Sequence, residues 1–360
     1  MKRFGFLFCV WLISYSLVAQ ELKKLEWSFG VQNIQAFLYA HDKAIAYMKG
    51  TRAIGIQIDL NRVRLDETAY GYANRKFNSG FSLQFMHFNN PLLGNALNAS
   101  YFIEPFLIDK PRFSLRLRAA GGLGYATSPF NANTVDSDNI AYSSHINGYL
   151  GLGLLAYVKA GKKINVFASA TYSHFSNGNV KNPNLGVNFP NVGVGLNYTF
   201  LKNEKPIGKL FFYPERWRLD LILFGSNKSL SVRKDLRFWL YGMGAQLSYR
   251  SGKIHGWTIG AEALQDLSNK YYLENRFWYL NLDSKMAGLM IGHEFLFNRV
   301  IFSQQLGYWV IKDNPEFFRA YHRWGISYKL NKELRVGLNL NASMQKAYFI
   351  DARLTYSFYH

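Results

Sequence analysis

Residues 113–125 read FSLRLRAAGGLGY, and residues 191–200 read NVGVGLNYTF. In the first stretch Phe113, Leu115, Leu117, Ala119, Gly121, Leu123 and Tyr125 alternate with Ser114, Arg116, Arg118, Ala120 and Gly122. In the second, Val192, Val194, Leu196, Tyr198 and Phe200 alternate with Asn191, Gly193, Gly195, Asn197 and Thr199. Successive side chains of a strand point to opposite faces, so each stretch builds one apolar face with aromatic ends and one small or polar face. A soluble sandwich also alternates, but its apolar face is the inward one and needs no aromatics at strand ends. An apolar face closed off by aromatics is the mark of a transmembrane antiparallel β-barrel.

The rest of the 360 residues follows the same rule. A chain that is 49% hydrophobic and 18% charged is too apolar to be disordered, and a mean hydropathy of -0.13 is too polar for a bundle of spanning helices. The 29 Phe, 24 Tyr and 8 Trp supply the aromatic girdles that such barrels carry. Alternating segments of about ten residues separated by turn residues begin near Trp27, Arg52, Phe77, Asn98, Arg112, His145, Lys163 and Asn188. A second set begins near Arg216, Leu236, Lys253, Met286, Val300, Phe318, Glu333 and Ala347. The two sets match as sequence: Ala99–Tyr125 aligns with Ala287–Tyr308, and His145–Ala170 with His322–Asn341. VGVGLNYTF and FIDARLTYSF close the two halves. The chain is therefore all-β and duplicated, with two tandem eight-stranded barrels favoured over one barrel of sixteen strands because each half repeats the whole unit.

The N-terminus sets the compartment. Lys2 and Arg3 precede an apolar run from Phe4 to Val18, and Val18-Ala19-Gln20 leads into the charged start at Glu21, Lys23 and Lys24, the pattern of a secretory signal peptide over residues 1–20. A first barrel over residues 21–200, a polar linker over 201–213 and a second barrel over 214–360 complete the organisation. Loss of Lys2 and Arg3 leaves 40 basic against 23 acidic residues, a net charge of +17. An exported chain of that charge meets anionic lipid headgroups and lipopolysaccharide phosphates, so a membrane surface and not nucleic acid is the expected partner. The single cysteine, Cys9, leaves with the signal peptide, so the exported chain has no disulfide, thiolate metal ligand or cysteine nucleophile.

One hairpin carries chemistry. The segment Ile164–Ser176 places Ile164, Val166, Ala168, Ala170, Tyr172, His174 and Ser176 on one face. His174 and Ser176 therefore share the apolar, lipid-directed face, where an unpartnered imidazole or hydroxyl is costly. On the next segment Asn188 has the parity of Val192 and Val194 and projects from the same outer face. Ser176 is a candidate nucleophile, His174 its general base, and Asn188 the acceptor that holds the imidazole in the required tautomer, an arrangement of the serine hydrolase kind. The intervening loop, residues 177–187, is rich in Asn and Gly and offers donors for an oxyanion. With a periplasmic N-terminus the odd strands run outward, so this hairpin opens on the cell surface together with the long segment Ser128–Ser143.

The stretch HFSNGNVKNPNLGVN, residues 174–188, resembles the PagL-type lipid A 3-O-deacylases, including the longer Bacteroidetes relatives labelled acyloxyacyl hydrolases. The resemblance extends over residues 21–200. It implies an eight-stranded outer-membrane barrel and a serine esterase that removes an ester-linked acyl chain from lipid A without a metal or other cofactor. By motif position His174 is the base and Ser176 the nucleophile, while Asn177 and Asn184 help Gly178 and nearby backbone form the oxyanion site. The chain departs from the pattern at Asn188, where the best-known members carry Glu. A neutral amide orients an imidazole without stabilising imidazolium by charge.

Other polar residues read as structure. Glu104, Arg116 and Arg118 share inward parity and are expected to pair inside the barrel. The eight histidines are dispersed and show no metal spacing. Asp266-Leu267-Ser268-Asn269 lacks a His at the right offset and reads as a loop. The second-half positions equivalent to the dyad are Ala342 and Met344, with Lys346 beyond them, which leaves one site. Arg62, Arg64, Arg75 and Lys76 are solvated residues at strand ends and turns, with a role on lipid A phosphates open to any that are external. Two rival readings stand beside the lipid A hydrolase: a phospholipid esterase, and a non-catalytic structural or adhesive barrel.

Overall fold

The computed structural model describes residues 25–40, 42–64, 77–131, 139–201, 215–229, 236–252, 254–276, 284–297, 299–312, 318–343 and 346–360. The expected signal peptide, nearly all of the expected linker, Met344, Arg75 and Lys76 lie outside the described residues. The first eight strands are β1 (Leu25–Phe37), β2 (Arg52–Arg64), β3 (Phe77–His87), β4 (Asn95–Asp109), β5 (Phe113–Ala126), β6 (Ile146–Lys159), β7 (Ile164–Ser176) and β8 (Val187–Leu201). The second eight are β9 (Trp217–Ser229), β10 (Arg237–Arg250), β11 (His255–Asp266), β12 (Lys285–Phe297), β13 (Val300–Lys312), β14 (Ala320–Lys329), β15 (Leu334–Ser343) and β16 (Lys346–Tyr359). Every strand begins within three residues of its expected start. The two repeats coincide with β4–β5 against β12–β13 and β6–β7 against β14–β15.

The strands close into two separate eight-stranded antiparallel barrels. At the first seam β1 pairs β8, with Phe29 opposite Tyr198 and Val31 opposite Leu196; at the second, β9 pairs β16, with Leu223 opposite Leu354 and Leu221 opposite Tyr356. Closure matters because an open edge would leave a row of N–H and C=O groups without partners in hydrocarbon. Along β8, Val192, Val194, Leu196 and Tyr198 are exposed on the outer wall while Asn191, Asn197 and Thr199 are buried inside. The same alternation runs around both barrels and leaves Leu123, Leu150, Leu223, Leu289 and Leu306 exposed outward. Among the described residues no helix is long and apolar enough to cross a membrane.

Both interiors are filled with paired charge. In the first barrel Arg118 reaches Asp59 at 2.7 Å and Glu104 at 2.5 Å, and Arg116 lies 3.4 Å from Glu104. The inward pairing expected for Glu104, Arg116 and Arg118 is thus present, with Asp59 as an additional acceptor. Gln57, Gln84 and Asn98 extend the network as a hydrogen-bonded ladder. In the second barrel Arg323 bonds Glu262 at 2.5 Å and Asp351 at 3.0 Å, Arg353 bonds the same two carboxylates, and Arg218 bridges Asp220 and Glu294. A buried charge is tolerated only when such partners answer it. The cavity inside the first barrel, between Gln32, Gln57, Gln84 and Arg118, measures ≈ 10 Å³, room for one water at most. The barrel is a packed core, not a pore.

One end of the first barrel is sealed by an apolar plug. Ile45 and Met48 of a 3₁₀ turn (Lys43–Met48), Leu93, Ala141 and Tyr142 from loops, and Phe175, Val187 and Phe189 from β7 and β8 form one buried cluster. The expectation of a loop at Asp266–Asn269 needs correction. Asp266 caps a helix, α1 (Leu267–Arg276), its carboxylate accepting from the backbone N–H groups of Ser268 and Asn269. An Asp in this position satisfies donors that the first helical turn leaves without partners.

Candidate active site

The plug and the catalytic candidates occupy opposite faces of the same strand ends. Phe175 lies between His174 and Ser176, is fully buried, and meets Tyr142 edge-on at 5.4 Å. Val187 and Phe189 flank Asn188 and are equally buried, with Phe189 edge-on to Phe88 at 5.9 Å. Period-2 alternation therefore turns His174, Ser176 and Asn188 outward while their neighbours are locked into packed apolar positions. A side chain whose strand neighbours cannot rotate is itself well placed. This is how a half-buried site on a barrel wall acquires rigidity.

His174 and Asn188 stand directly opposite each other across the β7–β8 ladder. The Nδ1 of His174 is 2.7 Å from Oδ1 of Asn188, and its Nε2 is 2.9 Å from Oγ of Ser176. An amide oxygen only accepts, so the proton sits on Nδ1 and the Nε2 lone pair faces the Ser176 hydroxyl. A hydroxyl so placed can give up its proton to the imidazole as it attacks an electrophile. Asn188 is held in turn by its own backbone, because the N–H of Tyr39, just beyond β1, donates to the Asn188 carbonyl at 2.8 Å.

The loop after Ser176 is built by its asparagines. The backbone N–H of Asn177 donates to Oδ1 of Asn184 at 2.9 Å, and its side-chain amide donates to the Lys181 carbonyl at 2.8 Å and to Oγ of Ser143 at 3.2 Å. All three donors of Asn177 are thereby committed. Asn177 thus ties the loop together. Asn184 uses its oxygen on Asn177, which frees its amide nitrogen to face elsewhere, and Gly178 follows with a left-handed φ of 63°. A strap from the loop between β5 and β6 holds the other side, with the N–H groups of Leu185 and Gly186 donating to the carbonyls of Ile140 and Ala141 at 3.2 and 2.7 Å.

Comparison with known proteins now bears on this hairpin. The family model described as lipid A 3-O-deacylase (PagL) matches residues 62–197, from the end of β2 through most of β8 and across the whole site. The model described as acyloxyacyl hydrolase, C-terminal domain, matches residues 217–360, which are β9–β16. The chain belongs to the PagL family. Its second barrel is the part that matches the C-terminal domain model. A comparison with curated proteins yields no match. Among solved structures, Pseudomonas aeruginosa OccK5 (OpdH) is similar at 12% identity and a TM-score of 0.24, covering 94% of this chain and 98% of that one. A triple mutant of the Rhodopseudomonas blastica porin follows at 10% identity and a TM-score of 0.18, with 93% of this chain and 100% of that one covered. Scores this low add nothing to the barrel topology already described.

Within this PagL-family chain the structure brings Ser176, His174 and Asn188 together and adds residues that the sequence did not single out. Gly186 has φ of 76°, and a Cβ placed on it would lie 2.7 Å from Cε1 of His174 and 3.2 Å from Cβ of Ser176. Only glycine fits against the dyad there, and the lone signal in the sequence was a Gly at the end of an Asn-rich loop. Gly186→Ala is expected to push the imidazole off Ser176 and lower turnover roughly 10²-fold, read as kcat in a detergent-solubilised assay with heat-modifiable gel migration unchanged. The Ile140–Ala141 strap carried no local signal, because its partners lie some 45 residues downstream. Ala342, the second-half counterpart of the dyad, sits opposite His322 and is buried. Arg62 and Arg64 pair with the first residues of β1, at the end of the barrel away from the site.

Proposed function

We propose that the protein is an outer-membrane serine hydrolase that removes an ester-linked acyl chain from the lipid A of lipopolysaccharide. The observation that carries this reading is the hydrogen-bonded line from Ser176 Oγ through His174 to Asn188 Oδ1, on the outer wall of a barrel. A nucleophile that faces lipid is suited to a substrate whose scissile ester lies at the edge of the bilayer. Membership of the PagL family adds the substrate class. Exposed Lys43, Lys49, Arg52 and Lys181 stand at the same end of the barrel, where cations suit a phosphorylated glycolipid headgroup.

In the proposed reaction Ser176 Oγ attacks the ester carbonyl carbon as its proton passes to His174 Nε2. The oxyanion is met by the Gly178 N–H and the Asn184 amide nitrogen. Collapse breaks the ester C–O bond, and the leaving sugar oxygen takes the proton from His174. Water then attacks the acyl-enzyme with His174 as base, releasing the fatty acid and restoring the serine. Asn188 keeps the ring oriented throughout but supplies no charge to the transient imidazolium. Asn188→Glu is therefore expected to raise kcat by roughly tenfold, an order suggested by the greater strength of charge-assisted hydrogen bonds.

Mass spectrometry of lipid A from membranes incubated with the purified protein tests the reading. Loss of one acyl chain with the unaltered protein and with Asn188→Glu, but not with Ser176→Ala, is the expected result. No acyl loss from lipid A by the unaltered protein or by Asn188→Glu overturns it; release of fatty acid from phospholipid instead would assign a phospholipid esterase.

A further inference from the structure

We infer that the second barrel, which carries no catalytic dyad of its own, is a positioning element that braces the loop following Ser176; the inference rests on the hydrolase reading above. Four contacts join the two halves at that loop. The Asn179 side-chain amide donates to the Tyr348 carbonyl at 3.2 Å, and that of Asn182 to the Ser229 carbonyl at 2.9 Å. The Ser229 N–H donates to the Val180 carbonyl at 3.1 Å. Ile350 packs against Gly178 so closely that any side chain at 178 would collide with it.

These partners form one rim. Ser229 is the last residue of β9, Tyr348 and Ile350 lie near the start of β16, and β9 and β16 are neighbours in the closed wall. By contrast, the side walls stay uncovered: Leu150, Leu152 and Val192 of the first barrel and Leu221, Leu223 and Leu354 of the second are all exposed. The described contacts therefore fall on the loop and not along the barrels.

The loop needs this support. It spans ten residues, Asn177–Gly186, and contains three left-handed backbone positions at Gly178, Asn179 and Gly186. Connecting segments of this kind are mobile unless tied down. The strap at Ile140 and Ala141 holds the far end, at Leu185 and Gly186. Without the rim of the second barrel, the described hydrogen bonds that anchor residues 178–182 would be those among Asn177, Ser143, Val180 and Lys181. Gly178 is two residues past the nucleophile, and its N–H is the backbone donor assigned to the oxyanion. Ile350 pressing on its α-carbon fixes the plane of that peptide, so the second barrel sets the direction of a donor that must meet the transition state.

The test uses the full-length chain in detergent micelles with lipid A as substrate. Ile350→Ala opens space beside Gly178, Ile350→Val keeps most of the contact, and Asn182→Ala removes a tether from the loop side. For Ile350→Ala and Asn182→Ala the expected result is a loss of about 10- to 100-fold in kcat with KM within about twofold of the unaltered protein. Ile350→Val should restore most of the rate, and heat-modifiable migration should remain normal. Unchanged kcat in Ile350→Ala and Asn182→Ala, with an active unaltered protein, would overturn the brace while leaving the hydrolase reading intact. An unaltered protein that releases no acyl chain would overturn the hydrolase reading and the brace with it. Loss of rate in Ile350→Ala but not in Asn182→Ala, with altered migration, would reduce Ile350 to a folding residue and overturn the positioning role.

Discussion

Ser176→Ala is expected to reduce acyl release from lipid A by about 10⁴-fold or more while the protein keeps its heat-modifiable migration. The magnitude follows from the arrangement. Ser176 Oγ is 2.9 Å from Nε2 of His174, whose lone pair faces it. The structural cost should be small, because the hydroxyl lies on the outer wall while the packing residue next to it is Phe175, fully buried in the plug. The measurement is fatty acid release followed over time, beside labelling by a fluorophosphonate that reacts with activated serines. Labelling of the unaltered protein and none of Ser176→Ala would place the nucleophile at 176. Equal labelling of both would remove Ser176 from the role.

The largest stability effect is expected inside the second barrel. Arg323 is wholly buried and bonds both Glu262 and Asp351, two carboxylates that are themselves fully buried. Arg323→Leu leaves those two acidic groups with Arg353 as their remaining cation. Removing one partner from a buried ionic cluster typically costs about 3–5 kcal/mol, because the desolvated charges lose their answer. The urea midpoint in detergent, followed by tryptophan fluorescence, should fall accordingly, and Arg323→Lys should recover part of the loss by keeping the charge. Since the rim at Ser229, Tyr348 and Ile350 belongs to this barrel, loss of its fold should also lower turnover at Ser176. An unchanged midpoint would show that Arg353 neutralises both carboxylates unaided.

Much of the candidate site is legible in the order of residues. His174, Ser176 and Asn188 can be placed on one outer face by counting in twos, and the ladder sets His174 opposite Asn188. The interior ion pair of Glu104 with Arg118 follows from the same counting. Asn177 shows the limit of motif position. The motif places it beside the expected oxyanion site, but that its three N–H groups go to Asn184, Lys181 and Ser143 is decided only by the folded loop. The helix after Asp266 was missed for a different reason. Its residues have weak amphipathy, and a single Asp ahead of them is a weak start signal until the backbone N–H groups of Ser268 and Asn269 are seen to meet it.

The alternation of apolar and polar residues by itself determined that the chain is built of sixteen strands, which face of each is turned outward, and that His174 and Ser176 share a face. That information is local, because a strand directs successive side chains oppositely whatever it pairs with. The tertiary structure decided where the sheets close, β8 on β1 and β16 on β9, since the alternation is as consistent with one large barrel as with two small ones and closure depends on register between strands far apart in sequence. It alone decided that the rim of the second barrel meets the loop beside Ser176. Contacts such as Ser229 with Val180, or Ile350 with Gly178, join segments about 50 and 170 residues apart, and no periodicity along a chain encodes which surfaces of two completed barrels will touch.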